Sequence, residues 1–419
     1  MRQSQLFTKT RREAPADETV KNAQLLIRAG FIHKEMAGVY SLLPLGFRVV
    51  ANIRKIVAEE MSVLGSEEIL MSTLQGKEVW EATDRWDDEK VDVWFKSVLK
   101  NGAEVGFGWS HEEPITNMMK SHITSFRDMP RFVHQFQNKL RNETRVKSGI
   151  MRCREFLMKD MYSYSRTEEE HMDFYNKATD AYKKVFERVG LGDITFVTSA
   201  SGGFFTDKFS HEFQTLCEAG EDNIYVNLKN KIALNAEIFN DETLQKLNLK
   251  KEDFELKKAA EVGNIFTFGT GKSEQLGLFF TNEKGEKVPV YLGSYGIGIT
   301  RLMGVLVEVF SDEKGIVWPK SVAPFAVHLV RLGDKAEVVE FADKLYIDLS
   351  ARGVETLYDD RDLRPGEKFA DSDLIGIPVR LVVSEKTLAE NKVEVKSRTS
   401  DKSEMMTVEE VILSVTTTA

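Results

Sequence analysis

Cysteine is nearly absent from this chain: of 419 residues only Cys153 and Cys217 carry a thiol. They form no CxxC pair, which argues against a disulfide framework and a cysteine-based zinc site and in favour of a reducing compartment, the cytoplasm. Long apolar runs are absent too. None approaches the roughly 20 residues that span a bilayer, so no membrane partner is expected. The opening residues MRQSQLFTKTRRE have no apolar signal-peptide core. Arg2, Lys9, Arg11 and Arg12 faintly mimic a transit peptide, but Glu13 and Asp17 follow almost at once. A basic excess is also missing. The formal net charge of −9 argues against a nonspecific nucleic-acid coat, while leaving room for a local basic patch. No internal repeat or low-complexity segment stands out.

What is present is a globular composition long enough for two or three domains with real cores. Residues 18–36 read as helical, and 46–64 more clearly so, with Val49, Ile53, Ile56, Val57 and Met61 at helical spacing and Gly65 behind them. Around 130–165 the pattern changes to strands. Thr167 and Glu170 make a capping signature for a helix whose apolar face is Tyr175, Ala178, Tyr182, Val185 and Phe186. Residues 262–299 read as strands and turns. After the Pro319–Pro324 linker, strands alternate with helices for about 100 residues, as in a compact α/β domain.

The segment RNETRVKSGIMRCREFLMKD (141–160) threads charge through a strand-like run. With strand alternation from Ile150 onward, Arg152, Arg154, Phe156, Met158, Asp160 and Tyr162 share one face. Upstream, Gln135, Gln137, Lys139, Arg141 and Glu143 share another, and TRVKSG (144–149) has hairpin-loop length. Two such strands present arginines for phosphate or carboxylate, a ring for stacking, Glu143 for an exocyclic amine and Asp160 for an ammonium group. That set suits ATP beside an amino acid. It equally suits a sheet face covered with solvated salt bridges.

The same segment resembles motif 2 of the class II aminoacyl-tRNA synthetases, in the form found in bacterial-type prolyl-tRNA synthetases. LGSYGIGITR (292–301) resembles motif 3. GWSHEEPIT (108–116) is similar to the proline-recognition loop, SGGFFTDKFSHEF (201–213) to a second pocket wall, and DDRDLRPGEKFADSDLIGIP (359–378) to the anticodon-binding domain. EAPAD (13–17) and AGVYSLLPLGFRV (37–49) match the N-terminal part. Singly, each motif also reads as ordinary structure; their order along the chain is what distinguishes them.

The resemblance implies an α+β catalytic domain over 1–318, with a central antiparallel sheet flanked by helices, and a smaller α/β anticodon-binding domain with a mixed sheet over 319–419. It implies a proline–tRNA ligase, a homodimer, that forms prolyl-adenylate from L-proline and ATP and then charges tRNA(Pro). Arg141 and Arg301 would be catalytic. ATP would be held by Arg141, Glu143, Arg152, Cys153, Phe156 and Arg301, with Mg²⁺ bridging its oxygens and no zinc or assigned protein metal ligand. Proline would be bound by Ser110, Glu112, Arg141, Met158, Asp160, Tyr162 and His211. The anticodon would meet Arg361, Arg364, Glu367, Lys368 and Asp371. Arg145 and Lys147 are left for the acceptor end of tRNA or for solvent.

The chain also departs from the pattern. Ser72 stands where motif 1 carries a proline, Trp109-Ser110 replaces Pro-Thr, and Cys153 replaces Ser or Thr. Residues 223–260 are a reduced insertion, expected to hold a strand and a short helix or two, where bacterial relatives carry a large editing domain. No cis-editing of Ala-tRNA is therefore expected. GTGKS (269–273) lacks the upstream glycine of a phosphate-binding loop and reads as a turn. The alternatives are a threonyl, histidyl or glycyl enzyme, or an inactive synthetase-like tRNA-binding protein.

Overall fold

The computed structural model describes residues 1–146, 148–201 and 209–416. They divide into two compact units. One comprises Met36–Val39 and Ile53–Val305; the other comprises Met1–Glu35, Tyr40–Asn52 and Leu306–Ala419. A cut at 318/319 would leave the first residues with the larger unit. They group instead with the C-terminal segment, because Arg2 pairs with Asp343 and Asp360, Gln3 meets His328, and Thr10 Oγ1 donates to Asp371.

The larger unit is built on a nine-stranded sheet. In chain order its strands are β1 (Glu67–Glu68), β2 (Arg131–Leu140), β3 (Glu155–Ser165), β4 (Thr195–Ser201), β5 (Phe209–Leu216), β6 (Asp222–Asn227), β7 (Ile232–Asn235), β8 (Glu255–Gly269) and β9 (Tyr291–Gly298). Their spatial order is β5-β4-β7-β6-β8-β9-β3-β2-β1. Neighbours run antiparallel except β4 with β7 and β1 with β2. Strand β5 also pairs with β8, which closes a ring of β5, β4, β7, β6 and β8. Residues 223–260 thus hold nearly all of β6, all of β7 and the start of β8, with the helix Asp241–Lys246 between them, more strand than the sequence suggested.

Three helices matter for the site: α1 (Glu112–Met119), α2 (Glu168–Arg188) and α3 (Ile299–Val309). Thr167 Oγ1 accepts the Glu170 N–H at 3.2 Å, and Gly190 at φ +93° follows the last turn, so α2 has the expected cap and stop. Its apolar face covers one side of the sheet. Phe174 meets the Tyr295 ring edge-on at 5.6 Å, and Phe213 sits between Tyr182 and Phe186 at 5.0 and 5.4 Å. Alternation sends Lys159 and Tyr295 to this covered face, and it leaves Lys139, Phe156, Met158, Asp160 and Gly296 on the other.

Three local expectations change. Residues 18–36 are not one helix: Lys21–Arg28 is helical, Gly30 takes φ +76°, and Ile32–Met36 is a strand. The hairpin loop is longer than 144–149. Leu140 pairs with Glu155, so 141–154 is the connection, and Gly149–Met151 within it is a 3₁₀ turn entered at φ +59°. Strand alternation therefore starts at Glu155, and Arg152 belongs to the turn. GTGKS is not a bare turn but opens the helix Gly271–Leu276.

The smaller unit holds a five-stranded mixed sheet: β10 (Val327–Arg331), β11 (Thr356–Asp359), β12 (Val379–Val383), β13 (Val393–Ser397) and β14 (Glu404–Met406), in the order β11-β10-β12-β13-β14. The first two pairings are parallel and the last two antiparallel. Helix α4 (Ala336–Ala351) packs Val338, Ala342, Leu345 and Leu349 on it, and α5 (Pro365–Ile375) begins with Pro at its first position, where no N–H is needed.

Phe213 is wholly buried between two α2 rings, so Phe213→Ala should destabilise the larger unit by about 3–5 kcal/mol. A lowered urea midpoint with unchanged slope is the expected readout.

Candidate active site

The connection between β2 and β3 folds its charges onto one another. Arg141 follows the last β2 residue and donates its backbone N–H to Arg154 O at 2.8 Å. Its guanidinium lies over the Phe156 ring, 5.2 Å from the centroid, and Nε donates to Trp109 O at 3.3 Å. Burial pushes the Arg141 pKa down, and the positive charge of Arg301 pushes the same way. Arg152 reaches back to the Glu143 carboxylate at 2.8 Å and also pairs with Glu221. Arg301, in the first turn of α3, donates from Nε to Met151 O at 2.8 Å and from Nη1 to Glu261 O at 2.6 Å. Arg152, Glu221, Glu261 and Arg301 line a small cavity of about 80 Å³. Cys153 is buried, with Sγ against the carbonyls of Gly149 and Ile150, so its contribution is to the shape of the turn.

The second cluster lies on the open face of β2 and β3 and at the start of α1. Glu112 is buried: Oε2 accepts from the Ser110 hydroxyl, and Oε1 accepts from Ser294 Oγ at 3.1 Å. Asp160, 4% exposed, accepts at Oδ2 from Gln135 Nε2 and from the Tyr162 hydroxyl, each at 2.8 Å. Lys139 Nζ lies 2.9 Å from Asp160 Oδ1, a buried ion pair. Burial alone would raise the Asp160 pKa; Lys139, with His111 and the Gln135 hydrogen bond, outweighs it and holds the carboxyl below its ordinary value. Burial lowers the Lys139 pKa, and the same Nζ donates to His111 Nδ1 at 2.7 Å. His111 Nε2 then donates to Ser72 O at 3.2 Å. Burial and the Lys139 charge bring His111 to about 4, so it is neutral at physiological pH. Met158 flanks this floor opposite Gly298. A Cβ built on neighbouring Gly296 would meet the Met158 thioether only at 3.7 Å, so the strand is glycine-bare there without being crowded.

Sequence reasoning overlooked the layer beneath. Glu113 is fully buried and held by Arg85 Nη1 at 2.8 Å and Lys272 Nζ at 2.6 Å, which keep its carboxyl at about 2 against the upward pull of burial. Arg85 Nη1 also stands 3.7 Å from Glu112. Lys272 comes from the dismissed GTGKS, and nothing in the sequence marked Arg85. Lys139 was visible by strand alternation, though not its pairing.

The second wall is only partly in view, since 202–208 lie outside the described residues, as does Lys147. His211 on β5 bonds through Nδ1 to the Tyr175 hydroxyl at 2.8 Å, not to the Glu112–Asp160 network. Nearby in the ring, Glu212 is pushed up to about 7 by burial and by the negative charge of Glu261, and burial raises Asp222 as well.

In the smaller unit the sequence-marked residues separate. Arg364 and Glu367 are exposed, with Glu367 Oε2 accepting the Arg364 N–H at 3.3 Å. Arg361 is bound to Asp359 at 2.7 Å and to Asp371 at 2.9 Å. Lys368 differs from the expected outward cation: it is 2% exposed and donates to Arg331 O at 2.7 Å, with burial lowering its pKa.

His111 gives the site a pH signature. Above pH 6.5 both folded and unfolded chains carry it neutral. Below that the unfolded chain gains a proton that the folded site refuses until about pH 4. Stability is thus full above 6.5 and falls by about 1.4 kcal/mol per pH unit below it. Urea midpoints measured between pH 7 and 5 should fall less steeply in His111→Asn than in the native chain.

Two family models match the chain: "tRNA synthetase class II core domain (G, H, P, S and T)" over residues 94–310 and "Anticodon binding domain" over 326–417. A proline–tRNA ligase of Paracoccus denitrificans (strain Pd 1222) is 36% identical over 440 aligned residues, covering 99% of this chain and 97% of that relative. The proline–tRNA ligase of Rickettsia akari (strain Hartford) is 37% identical and 98% covered both ways. Among solved structures, Giardia lamblia prolyl-tRNA synthetase in complex with prolyl-adenylate shares the fold, with a TM-score of 0.77 at 18% identity, over 93% of this chain and 74% of that one. With near-complete coverage at this identity, the chain belongs to the proline–tRNA ligase family of class II aminoacyl-tRNA synthetases.

Proposed function

We propose that the chain is a proline–tRNA ligase whose two half-reactions run on the floor of β2, β3 and β9. The observation that carries the reading is the convergence of Arg141 and Arg301, whose positive charge adds to the cost of burying Arg141, beside the Phe156 ring and the buried Asp160 carboxylate. Such a pair suits a polyanion. ATP fits with adenine on Phe156, its amine at Glu143, and its phosphates at Arg152 and Arg301, displacing the carboxylates that now hold Arg152. Proline fits with its imino nitrogen between Glu112 and Oδ1 of Asp160, and its carboxylate at Arg141.

In this arrangement a carboxylate oxygen of proline attacks the α-phosphorus. A new P–O bond forms as the bond to diphosphate breaks, and Arg141 offsets the charge that accumulates on the equatorial oxygens. A ribose hydroxyl at the tRNA 3′ end then attacks the carbonyl, and AMP leaves. No protein nucleophile takes part; positioning and charge neutralisation supply the rate. Among the described residues no three His, Cys, Asp or Glu side chains group to hold a metal ion. Mg²⁺ would arrive with ATP and shield phosphate charge, and Glu261, beside Arg301, is the residue that would face it.

The catalytic work is assigned to 1–318 and anticodon reading to 319–419, with 223–260 a reduced insertion that leaves no editing centre. A cytoplasmic homodimer is part of the reading. Leu70 and Leu74, 77% and 50% exposed near Ser72, are apolar surface that a second copy would cover. No helix among the described residues is long and apolar enough to cross a membrane.

Arg141→Ala should remove proline-dependent ATP–diphosphate exchange by at least about 100-fold, whereas Arg364→Ala should lower aminoacylation and leave exchange intact. Exchange that survives Arg141→Ala would refute the assignment. The purified chain should also fail to deacylate Ala-tRNA(Pro), because 223–260 is too short for an editing domain; it should still form that product, since a proline pocket excludes larger side chains but not alanine, and the missing methylenes are worth only about 1–3 kcal/mol each.

A further inference from the structure

A large cleft lies wholly within the smaller unit and has a volume of about 1230 Å³. One wall is the N-terminal turn of α5 with the preceding loop. The other is not part of the C-terminal segment at all: it is the chain's first dozen residues, with Arg28 behind them. This strap is fixed at both ends. Arg2 pairs with Asp343 and Asp360, and Ser4 bonds Asp360. At the other end Thr10 Oγ1 donates to Asp371 Oδ1 at 2.6 Å, and Arg11 N donates to Arg28 O at 2.8 Å.

Seven cations and four carboxylates line the cleft, in a chain whose net charge is −9. Most arginines elsewhere have carboxylate partners. Here Lys9, Arg11, Arg12, Arg28 and Arg364 have none among the described residues. Arg28 Nε is buried without a hydrogen-bond partner. Of the acids, Asp371 is occupied by Arg361 and Thr10, and Asp373 by Arg380. Unpaired cations held at close quarters repel one another, and an extended polyanion relieves that repulsion.

We infer that the N-terminal strap is the second wall of the tRNA site: Lys9, Arg11, Arg12 and Arg28 bind the phosphate backbone of the anticodon stem-loop while the loop before α5 meets its bases. The inference rests on the ligase reading for the identity of the RNA. Backbone contacts of this kind position a nucleic acid without reading sequence, and they make affinity salt-dependent. The fixed strap also gives a reason for residues so far apart in sequence to share one unit.

The test is fluorescence anisotropy with a labelled RNA hairpin carrying a proline anticodon. Lys9→Gln, Arg11→Gln and Arg12→Gln combined remove three exposed charges, and circular-dichroism melting checks the fold. Each phosphate contact contributes roughly 0.7–0.9 to the slope of log affinity against log salt, so the slope should fall by about 2–3 and low-salt affinity by at least about 10-fold. Arg28→Gln alone should lower the slope by about 1. An affinity and slope matching the native chain would overturn the inference. So would an equal loss in Lys229→Gln, Lys250→Gln and Lys251→Gln, which removes the same charge outside the cleft. Hairpin binding does not depend on catalysis. If the native chain showed no proline-dependent exchange, the ligase reading would fail while this measurement still reported on the cleft.

Discussion

Asp160 is a carboxylate almost cut off from water, and the geometry of the larger unit follows from how its charge is kept. An unpaired buried carboxylate is driven to take up a proton. Lys139, two registers away on the partner strand, prevents that, and Gln135 and Tyr162 hold the other oxygen. Lys139 in turn fixes the tautomer of His111, which anchors to the Ser72 carbonyl just ahead of α1. Glu112 is therefore delivered to the same floor by a chain of buried polar contacts. Asp160 Oδ1 meets the Lys139 ammonium at 2.9 Å, and a carboxylate oxygen with one such partner keeps a lone pair for the N–H of a ligand.

Strand alternation made much of this legible. Phe156, Met158 and Asp160 share a face, as the period of two requires, and Lys159 goes under α2. The α2 boundaries could be read from Thr167 and Gly190, because caps and left-handed glycines are local chemistry. Other features depend on tertiary contacts that no local pattern carries. The turn at Gly149–Met151 delays the start of the alternation from Ile150 to Glu155, five residues later, and so moves Arg152 off the strand. Arg85 and Lys272 converge on Glu113 from segments 187 residues apart, through burial that neither segment signals. Lys368 looked like a surface cation in a loop rich in charge, but its helix turns it inward.

Residues 223–260 show a related limit. They read as too short for an additional domain, yet their strands complete a ring with β4, β5 and β8. That ring carries Glu212, Asp222 and Glu261 to the edge of the arginine cluster. This short segment thus does structural work at the site. Relatives aligned over 97–98% of their own length leave no space for a long extra segment either, so this economy is shared with them.

On the proposed reading, Glu112 with Asp160, and Arg141 with Arg301, are two ends of one substrate site. A crystal structure with a non-hydrolysable prolyl-adenylate analogue is the decisive measurement. Adenine should stack on Phe156, the acyl-phosphate mimic should sit at Arg141, and the imino nitrogen should lie within hydrogen-bond reach of Glu112 and Asp160 Oδ1. An analogue bound with its proline ring elsewhere, and Lys139 still the sole neighbour of Oδ1, would contradict it.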